Sequence, residues 1–291
     1  SATIVPIIGE MQDPSYMDFI IRRLKADVIF HCAAYKHVPL LEENPIEAIK
    51  NNVFGTKSVV DAARNNRVPR FVFISTDKAV DPTSIYGASK CIAEEIVLSS
   101  NGSHGDYMVV RFGNVIGSRG SIVPLFTKQI LKGGPVTITH PEATRFFMTI
   151  PEAASLVLKA GGVGRGDNVY ILDMGEPVPI KELAEQMIRF YGYTPEKDIP
   201  IRYIGLRPGE KKTERLWSDG EKLEPTEHED INRLERKPRF SVSMEEVLDE
   251  LHDFCFFNSE EAERYRNRRL LRETIRRYLP TVNEVENEPI H

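Results

Sequence analysis

The chain has 291 residues, a net charge of −5 and 41% hydrophobic residues, which is enough for one large or two smaller domains of an ordinary globular protein. The negative balance argues against nucleic acid, although a local basic patch can still bind phosphate. Three scattered cysteines without a CxxC fit free thiols in a reducing cytoplasm, and seven scattered histidines without paired carboxylates give no metal site.

No GxGxxG or GxxGxxG turn occurs near the start. A nucleotide-binding α/β domain opens with a strand, such a turn and a helix whose N-terminus holds a pyrophosphate. The chain therefore reads as entering that fold after its second strand, at residues 4–11, with the first βαβ portion absent. Residues 13–25 carry Met17, Ile20, Ile21 and Leu24 at helical spacing. Residues 26–32, ADVIFHC, read as a buried strand, and the small residues Ala33 and Ala34 at its end let a backbone approach a ligand. Lys36 in the same loop is either a phosphate or substrate contact or a plain loop cation. Residues 47–66 read as one helix, where Asn51 could simply bond to local backbone.

The organising stretch is RFVFISTDKAVDPTSIYGASK, from Arg70 to Lys90. An apolar strand over residues 71–74 ends in Ser75, Thr76, Asp77 and Lys78, at the strand end where ligands of parallel sheets sit. A helix from Ser84 puts Tyr86 and Lys90 on one face at i,i+4 spacing. An ammonium beside a phenol favours the phenolate, so Tyr86 is a candidate base and Lys90 its partner. Lys78, partly buried and crowded by Lys90, is expected to have a lowered pKa.

A strand over residues 107–112 feeds the loop GNVIGSRG, residues 113–120, whose backbone, amide and cation suit a diphosphate. Arg119 is its candidate phosphate ligand. Then follow a helix at 123–131, a strand at 136–138, the segment TRFFMT at 144–149, and a helix opened by Pro151 and stopped at Gly161-Gly162. Arg145 there is either a substrate contact or part of a structural ion pair. A strand at 168–173, a helix at 180–191 and a strand at 199–204 lead to RPGEK, residues 207–211, which reads as the start of another helix. An arginine fork suits phosphate, which singles out Arg207. Residues 244–257 and 259–278 read as amphipathic helices, the second with Arg264, Arg266, Arg268 and Arg269 on a solvated face or against an acidic surface. The tail after Pro280 reads as disordered. No apolar run is long enough to span a bilayer and no signal peptide opens the chain.

The stretch from Arg70 to Lys90 resembles the active-site segment of extended short-chain dehydrogenases/reductases. Asp77-Lys78, in place of a plain Ser/Thr pair, is similar to one branch, the UDP-N-acetylglucosamine 4,6-dehydratases of bacterial polysaccharide and glycan biosynthesis. The resemblance runs from Ile4 to about Pro238. It implies an α/β fold: a doubly wound, Rossmann-like parallel sheet with a smaller C-terminal substrate domain. The expected units are residues 1–120, 121–240 with segments returning to the first unit, and 241–291. It also implies a cytoplasmic lyase and homo-oligomer that uses NADP, with NAD the alternative, on a UDP-sugar. Any membrane association would come only from a segment outside this chain.

By the same resemblance Glu10 and Met11 contact the adenine, Ala33 and Ala34 the ribose and phosphates, and Gly113 and Val115 the nicotinamide. Asn51 supports a proton path from Lys90 to water. Thr76 bonds the C4 oxygen, Lys78 is the base at C5 and Asp77 the acid at O6. Asn114 holds the substrate, Arg207 the diphosphate and Glu210 the uridine ribose. A UDP-sugar 4-epimerase would share Tyr86 and Lys90, and a non-catalytic scaffold is the other alternative.

Overall fold

A computed structural model describes residues 3–102, 105–118, 120–286 and 288–291. In chain order, α1 spans Pro14–Leu24, β1 Val28–His31, α2 Val38–Glu43, α3 Pro45–Ala48, α4 Gly55–Asn65, β2 Arg70–Thr76, α5 Ile85–Ser99, β3 Asp106–Phe112, β4 Asn114–Ile116 and α6 Ile122–Leu131. Next come β5 Val136–Ile138, β6 Thr144–Arg145, β7 Phe147–Thr149, α7 Ile150–Val163, β8 Val169–Leu172, β9 Val178–Pro179, α8 Ile180–Phe190 and β10 Ile201–Tyr203. The chain closes with β11 Lys222–Pro225, β12 Ile231–Glu235, α9 Met244–Cys255 and α10 Arg268–Tyr278.

The main sheet has the order β1-β2-β3-β8-β12-β11. The first four strands run parallel, and β12 and β11 close it as an antiparallel hairpin. Strands β2, β3 and β8 are nearly continuous apolar runs because α5 covers β2 and β3 while α7 packs on β2, β3 and β8. This is the Rossmann-like α/β fold. A second, smaller core gathers Phe126, Ile130, Val136, Ile138, Ile180, Ala184 and Ile188 around the β10–β5 pair.

Several elements depart from expectation, each for a physical reason. Strand β1 is not fully buried: Val28 and Phe30 stay exposed, because among the described residues only β2 pairs with it. Residues 3–10 form no strand and lie exposed. The expected single helix over 47–66 is broken by a π-helical turn at Ile49–Phe54, which carries Asn51 and Asn52 inward. Helix α7 runs through Gly161 and Gly162 instead of stopping there. A Cβ on Gly161 would lie 2.9 Å from the Phe30 ring and 3.1 Å from Val72, so glycine lets the helix press onto the sheet.

Residues 207–211 do not open a helix. Gly209 has φ +75°, and Arg145 takes the carbonyls of Lys211 and Lys212 that a helix would need. The basic helix is also shorter than expected. It begins only at Arg268, after a short 3-10 turn at Ser259–Glu261 and Arg266 in the left-handed region. Of the four arginines expected on a solvated face, Arg269 stays exposed while Arg268 donates to the Glu42 carbonyl and two others form ties ahead of the helix. Arg264 stacks on Phe254, Arg266 pairs with Glu47, and buried Arg272 lies between Glu42 at 3.0 Å and Glu288 at 2.5 Å. Nor is the tail loose: Val282 and Glu288 are buried, and Thr281 donates to the Pro82 carbonyl.

The largest fully buried side chain is Arg111 on β3. Its Nε and Nη2 bind both oxygens of Glu94 on α5 at 3.1 and 2.7 Å, and its Nη1 donates to the Leu216 carbonyl at 2.9 Å. Ser75 on β2 donates to the same carboxylate at 2.5 Å. Arg111→Met should lower stability in urea unfolding by about 3–5 kcal/mol, because it leaves Glu94 as an unpaired buried charge. Adding Glu94→Leu should recover part of that loss. A single variant as stable as the parent would show that the pair carries no such constraint.

Candidate active site

Strands β1, β2 and β3 all end at the same edge of the sheet, and a cavity of about 470 Å³ opens there. Thr76 caps a 3-10 turn at Asp77–Ala79, and Ser84 caps α5 by accepting from Gly87 N–H. The two caps are pressed together. A Cβ on Gly87 would fall 2.2 Å from the Lys78 carbonyl, so only glycine lets the helix close on the turn. Glu42 adds to this by accepting from Ile85 N–H at 2.7 Å. The result is that Tyr86, Lys90, Thr76 and Lys78 line one cavity.

Asp77 lies fully buried behind that wall. Its Oδ1 accepts from Thr76 Oγ1 at 2.8 Å and from Lys78 Nζ at 2.9 Å, while its Oδ2 has no partner. Lys78 also donates to Asn114 Oδ1 at 3.1 Å and faces Glu214 Oε1 at 3.9 Å. Burial alone would lower the lysine, but Asp77 and Glu214 outweigh it and hold Lys78 above its ordinary pKa. The expectation of a lowered Lys78 is therefore corrected: its neighbours are carboxylates, not Lys90.

Lys90 donates to the Ile74 carbonyl at 2.7 Å and sits 3.8 Å from the centre of the Phe73 ring. Burial pulls it down to about 7. Tyr86 is pushed up to about 12 by burial, and the cation that pulls it back is Lys78. The simple Tyr86–Lys90 phenolate pair expected from their spacing is thus not the resting arrangement.

Of the other expected residues, Ala34, Lys36, Gly113, Asn114, Val115, Arg145, Arg207 and Glu210 also line the cavity. Arg145 and Glu210 hold each other at 3.0 Å, which is the structural ion pair weighed for Arg145. Glu210 further accepts from Thr139 Oγ1 and Arg207 N–H. The Arg207 side chain stays exposed at the rim. Asn51 is buried off the cavity wall, bonded to Gln12 and Asn52, and Ala33 is exposed outside that wall. Glu10 is exposed and Met11 packs against Gly55, so neither reaches the cavity. Arg119 lies outside the described residues. Two residues carried no signal in the sequence. Asn52 holds the Tyr35 backbone by both N–H and C=O, and Glu214 lies in an irregular segment with no periodicity to betray it.

Whether the site suits a nicotinamide cofactor can be judged from its walls. Small residues, Ala34, Gly113 and Val115, line the same cavity as Tyr86 and Lys90. A Cβ on Gly113 would crowd Phe146 at 2.9 Å and the Asp77 carboxylate at 3.2 Å. These residues fit the nicotinamide and ribose half. Among the described residues no metal-binding cluster occurs, and no helix is long and apolar enough to cross a membrane.

Fold and site together define an extended short-chain dehydrogenase/reductase, the class that includes nucleotide-sugar dehydratases and epimerases. The chain belongs to the polysaccharide biosynthesis protein family, whose model matches residues 1–236. It is 51% identical over 219 residues to the capsular polysaccharide biosynthesis protein CapD of Staphylococcus aureus, covering 75% of this chain and 36% of that protein. It therefore spans little more than a third of that relative's length. It is 35% identical over 291 residues to a UDP-glucose 4-epimerase of Rickettsia canadensis, covering 97% of this chain and 81% of that protein. Among solved structures, Pen from Bacillus thuringiensis superposes with a TM-score of 0.72 at 33% identity, covering 85% of this chain and 81% of that one.

Lys90 gives a pH test. In the unfolded chain it titrates at 10.5 and in the fold at about 7, so burying the charge costs stability fully below pH 7. Lys90→Met should then be more stable than the parent below pH 7. The gap should shrink as pH rises from 7 and vanish only above 10.5, where the parent lysine is neutral in both states. Thermal or urea melts across that range check it; a constant gap would mean that Lys90 is not the titrating group.

Proposed function

We propose that this site removes water from a UDP-N-acetylhexosamine, with UDP-N-acetylglucosamine the expected substrate, to give a 4-keto-6-deoxy sugar for polysaccharide or glycan biosynthesis. The observation that carries the reading is the Asp77–Lys78 contact of 2.9 Å beside Tyr86. Water loss across C5 and C6 needs a base and an acid together, and one proton hop between these neighbours makes both.

Bound NADP, or NAD, would supply the hydride acceptor for C4 and the hydride donor for C6. The chain's own residues do the rest. Tyr86 takes the C4 hydroxyl proton, with the Lys78 ammonium offsetting the buried phenolate and Thr76 bonding the C4 oxygen. Once C4 is a ketone the C5 proton is acidic. A bound sugar dries the cavity and weakens the Asp77–Lys78 ion pair against its neutral form. The proton then passes from Lys78 Nζ to Asp77 Oδ1. The Lys78 amine takes the C5 proton, the C5–H electrons form the C5–C6 double bond, and the C6–O6 bond breaks. The Asp77 proton reaches the leaving oxygen through the Thr76 hydroxyl, which lines the cavity and bonds Oδ1 at 2.8 Å, so water departs and the pair returns to ammonium and carboxylate. Lys78 finally returns a proton to C5, and the proton that Tyr86 took from the C4 hydroxyl restores the Lys78 ammonium. Arg207 at the rim would hold the diphosphate, Glu210 the uridine ribose and Asn114 the sugar.

The Rickettsia relative's name favours a second reading, epimerisation at C4. An epimerase uses Tyr86 and Lys90 but leaves Asp77-Lys78 without a task. Substrate deuterated at C4 separates the two, given to the protein that carries this chain. Dehydration should place deuterium at C6 and solvent hydrogen at C5. Tyr86→Phe should block the first oxidation; Asp77→Asn should allow it and trap a 4-keto sugar that keeps its water, whereas Lys78→Met, which also removes the cation that offsets the Tyr86 phenolate, should slow the oxidation as well and leave any 4-keto sugar undehydrated. Each loss should be on the order of a hundredfold to ten-thousandfold. Deuterium returned to C4 with an inverted hydroxyl would make this an epimerase.

The diphosphate does not change during the reaction, so its contact is uniform binding. Arg207→Ala should raise KM while kcat holds, read from steady-state kinetics. A collapse of kcat at unchanged KM would remove Arg207 from that role.

A further inference from the structure

Two glutamates line the cavity, and only one is fully engaged. Glu210 is bonded to Arg145, Thr139 and the Arg207 backbone. Glu214, with a side chain 3% exposed, faces Lys78 at 3.9 Å through Oε1 and Lys211 at 3.8 Å through Oε2. Neither separation is a hydrogen bond. Each lysine bonds elsewhere, Lys78 to Asp77 and Asn114, and Lys211 to the Val80 carbonyl at 2.6 Å. Oε2 of Glu214 has no hydrogen-bond partner at all.

A buried carboxylate normally collects several donors. Here the nearest donor is kept one bond length too far away. The segment is pinned by the bond from Arg111 to the Leu216 carbonyl, so Glu214 is held at that distance by the sheet rather than drifting there. We propose that Glu214 is a positioning residue that acts through Lys78, a fixed negative charge that sets the basicity of the amine without taking its N–H away from Asp77.

The separation explains why this arrangement works. A direct hydrogen bond from Lys78 to Glu214 would draw the ammonium off Asp77 Oδ1 and lengthen the path of the proton hop. At 3.9 Å the attraction remains large in a dry site while the hop geometry is kept. The groups facing Glu214 are Lys78 and Asp77 from the turn after β2, Lys211 from its own segment and Arg145 from β6, itself held by Glu210. Burial raises the Glu214 carboxyl, Lys78 pulls it back, and Asp77 raises it again. The purpose assigned to Glu214 rests on the dehydratase reading; its effect on Lys78 does not.

Lys78 can be titrated directly, by NMR of the full chain labelled with 13C at the lysine ε-carbons, its signal assigned by loss in Lys78→Met. In the parent, Lys78 should stay protonated above the ordinary lysine value of 10.5. In Glu214→Gln it should lose its proton lower by about one pH unit or more. Glu214→Asp, which keeps the charge but withdraws it by one methylene, should give a smaller drop. The Asp variant also serves where the amide variant does not fold. Equal titration in parent and variants overturns the proposal.

The second arm is exchange of the C5 hydrogen with solvent against pH. The limb that rises as Lys78 loses its proton should move to lower pH in Glu214→Gln and return most of the way in Glu214→Asp. A residue with a merely structural role would lower the whole profile without moving the limb, and that result overturns the proposal. Absence of C5 exchange in the parent would overturn the dehydratase reading instead, and the titration alone would then decide Glu214.

Discussion

A guanidinium that never meets water holds this structure together. Arg111 is fully buried, and so is its partner Glu94. Taking both charges out of water costs several kcal/mol per ion, and only full hydrogen bonding offsets it. The offset requires four parts to meet: β3 with Arg111, α5 with Glu94, β2 with Ser75, and the Leu216 carbonyl of the irregular segment. A shift in any one leaves a charge or a carbonyl stranded. The depth of α5 against the sheet is thereby set, and with it Tyr86 and Lys90 two turns and one turn before Glu94. The irregular segment is set in the same way, although it has no helix or strand of its own to fix it.

That constraint also marks what could be read from the amino-acid order. Strands β2 and β3 and helix α5 were legible because burial on both sides forces long apolar runs with polar residues only at the ends. Tyr86, Lys90, Thr76 and Lys78 followed, since each is placed by one of those elements. The helix expected at residues 207–211 failed because its carbonyls are claimed by Arg145, more than sixty positions upstream. The loose tail failed because Thr281 donates to the Pro82 carbonyl across a separation of 199 positions and Glu288 is taken by Arg272. The shift on Lys78 went the wrong way for a similar reason. The adjacent Asp77 bonds Lys78 at 2.9 Å and Glu214, far in sequence, is near in space, whereas Lys90 turns to the Ile74 carbonyl.

The residues after 236 lie beyond the family match, yet they bear on the site. Thr281 donates to the Pro82 carbonyl, and the Asn283 N–H donates to the Thr83 carbonyl. Thr83 in turn donates to the Gly209 carbonyl. Arg272, itself bonded to Glu288, donates to Glu42, whose other oxygen caps Ile85 N–H. The C-terminal segment therefore grips the loop that begins α5 and, through Thr83, the turn that carries Arg207. The N-terminus of the helix that carries Tyr86 and Lys90 and the rim of the cavity are tied by one set of bonds. A displacement of either is felt by the other.

The site's charges explain why so much rigid structure surrounds so small a pair. Around the cavity Lys78, Lys211 and Arg145 face Asp77, Glu214 and Glu210. Moving one proton from Lys78 to Asp77 leaves that balance unchanged, so the hop creates no net charge in a dry site. Moving Lys78 itself by an ångström toward Glu214 would break the hydrogen bond along which the proposed hop runs. In the dehydration scheme the same ammonium first offsets the Tyr86 phenolate and then, once discharged, becomes the base at C5. One lysine can serve both steps only if its distances to two carboxylates are held unequal, and the buried Arg111 contact is what holds them so.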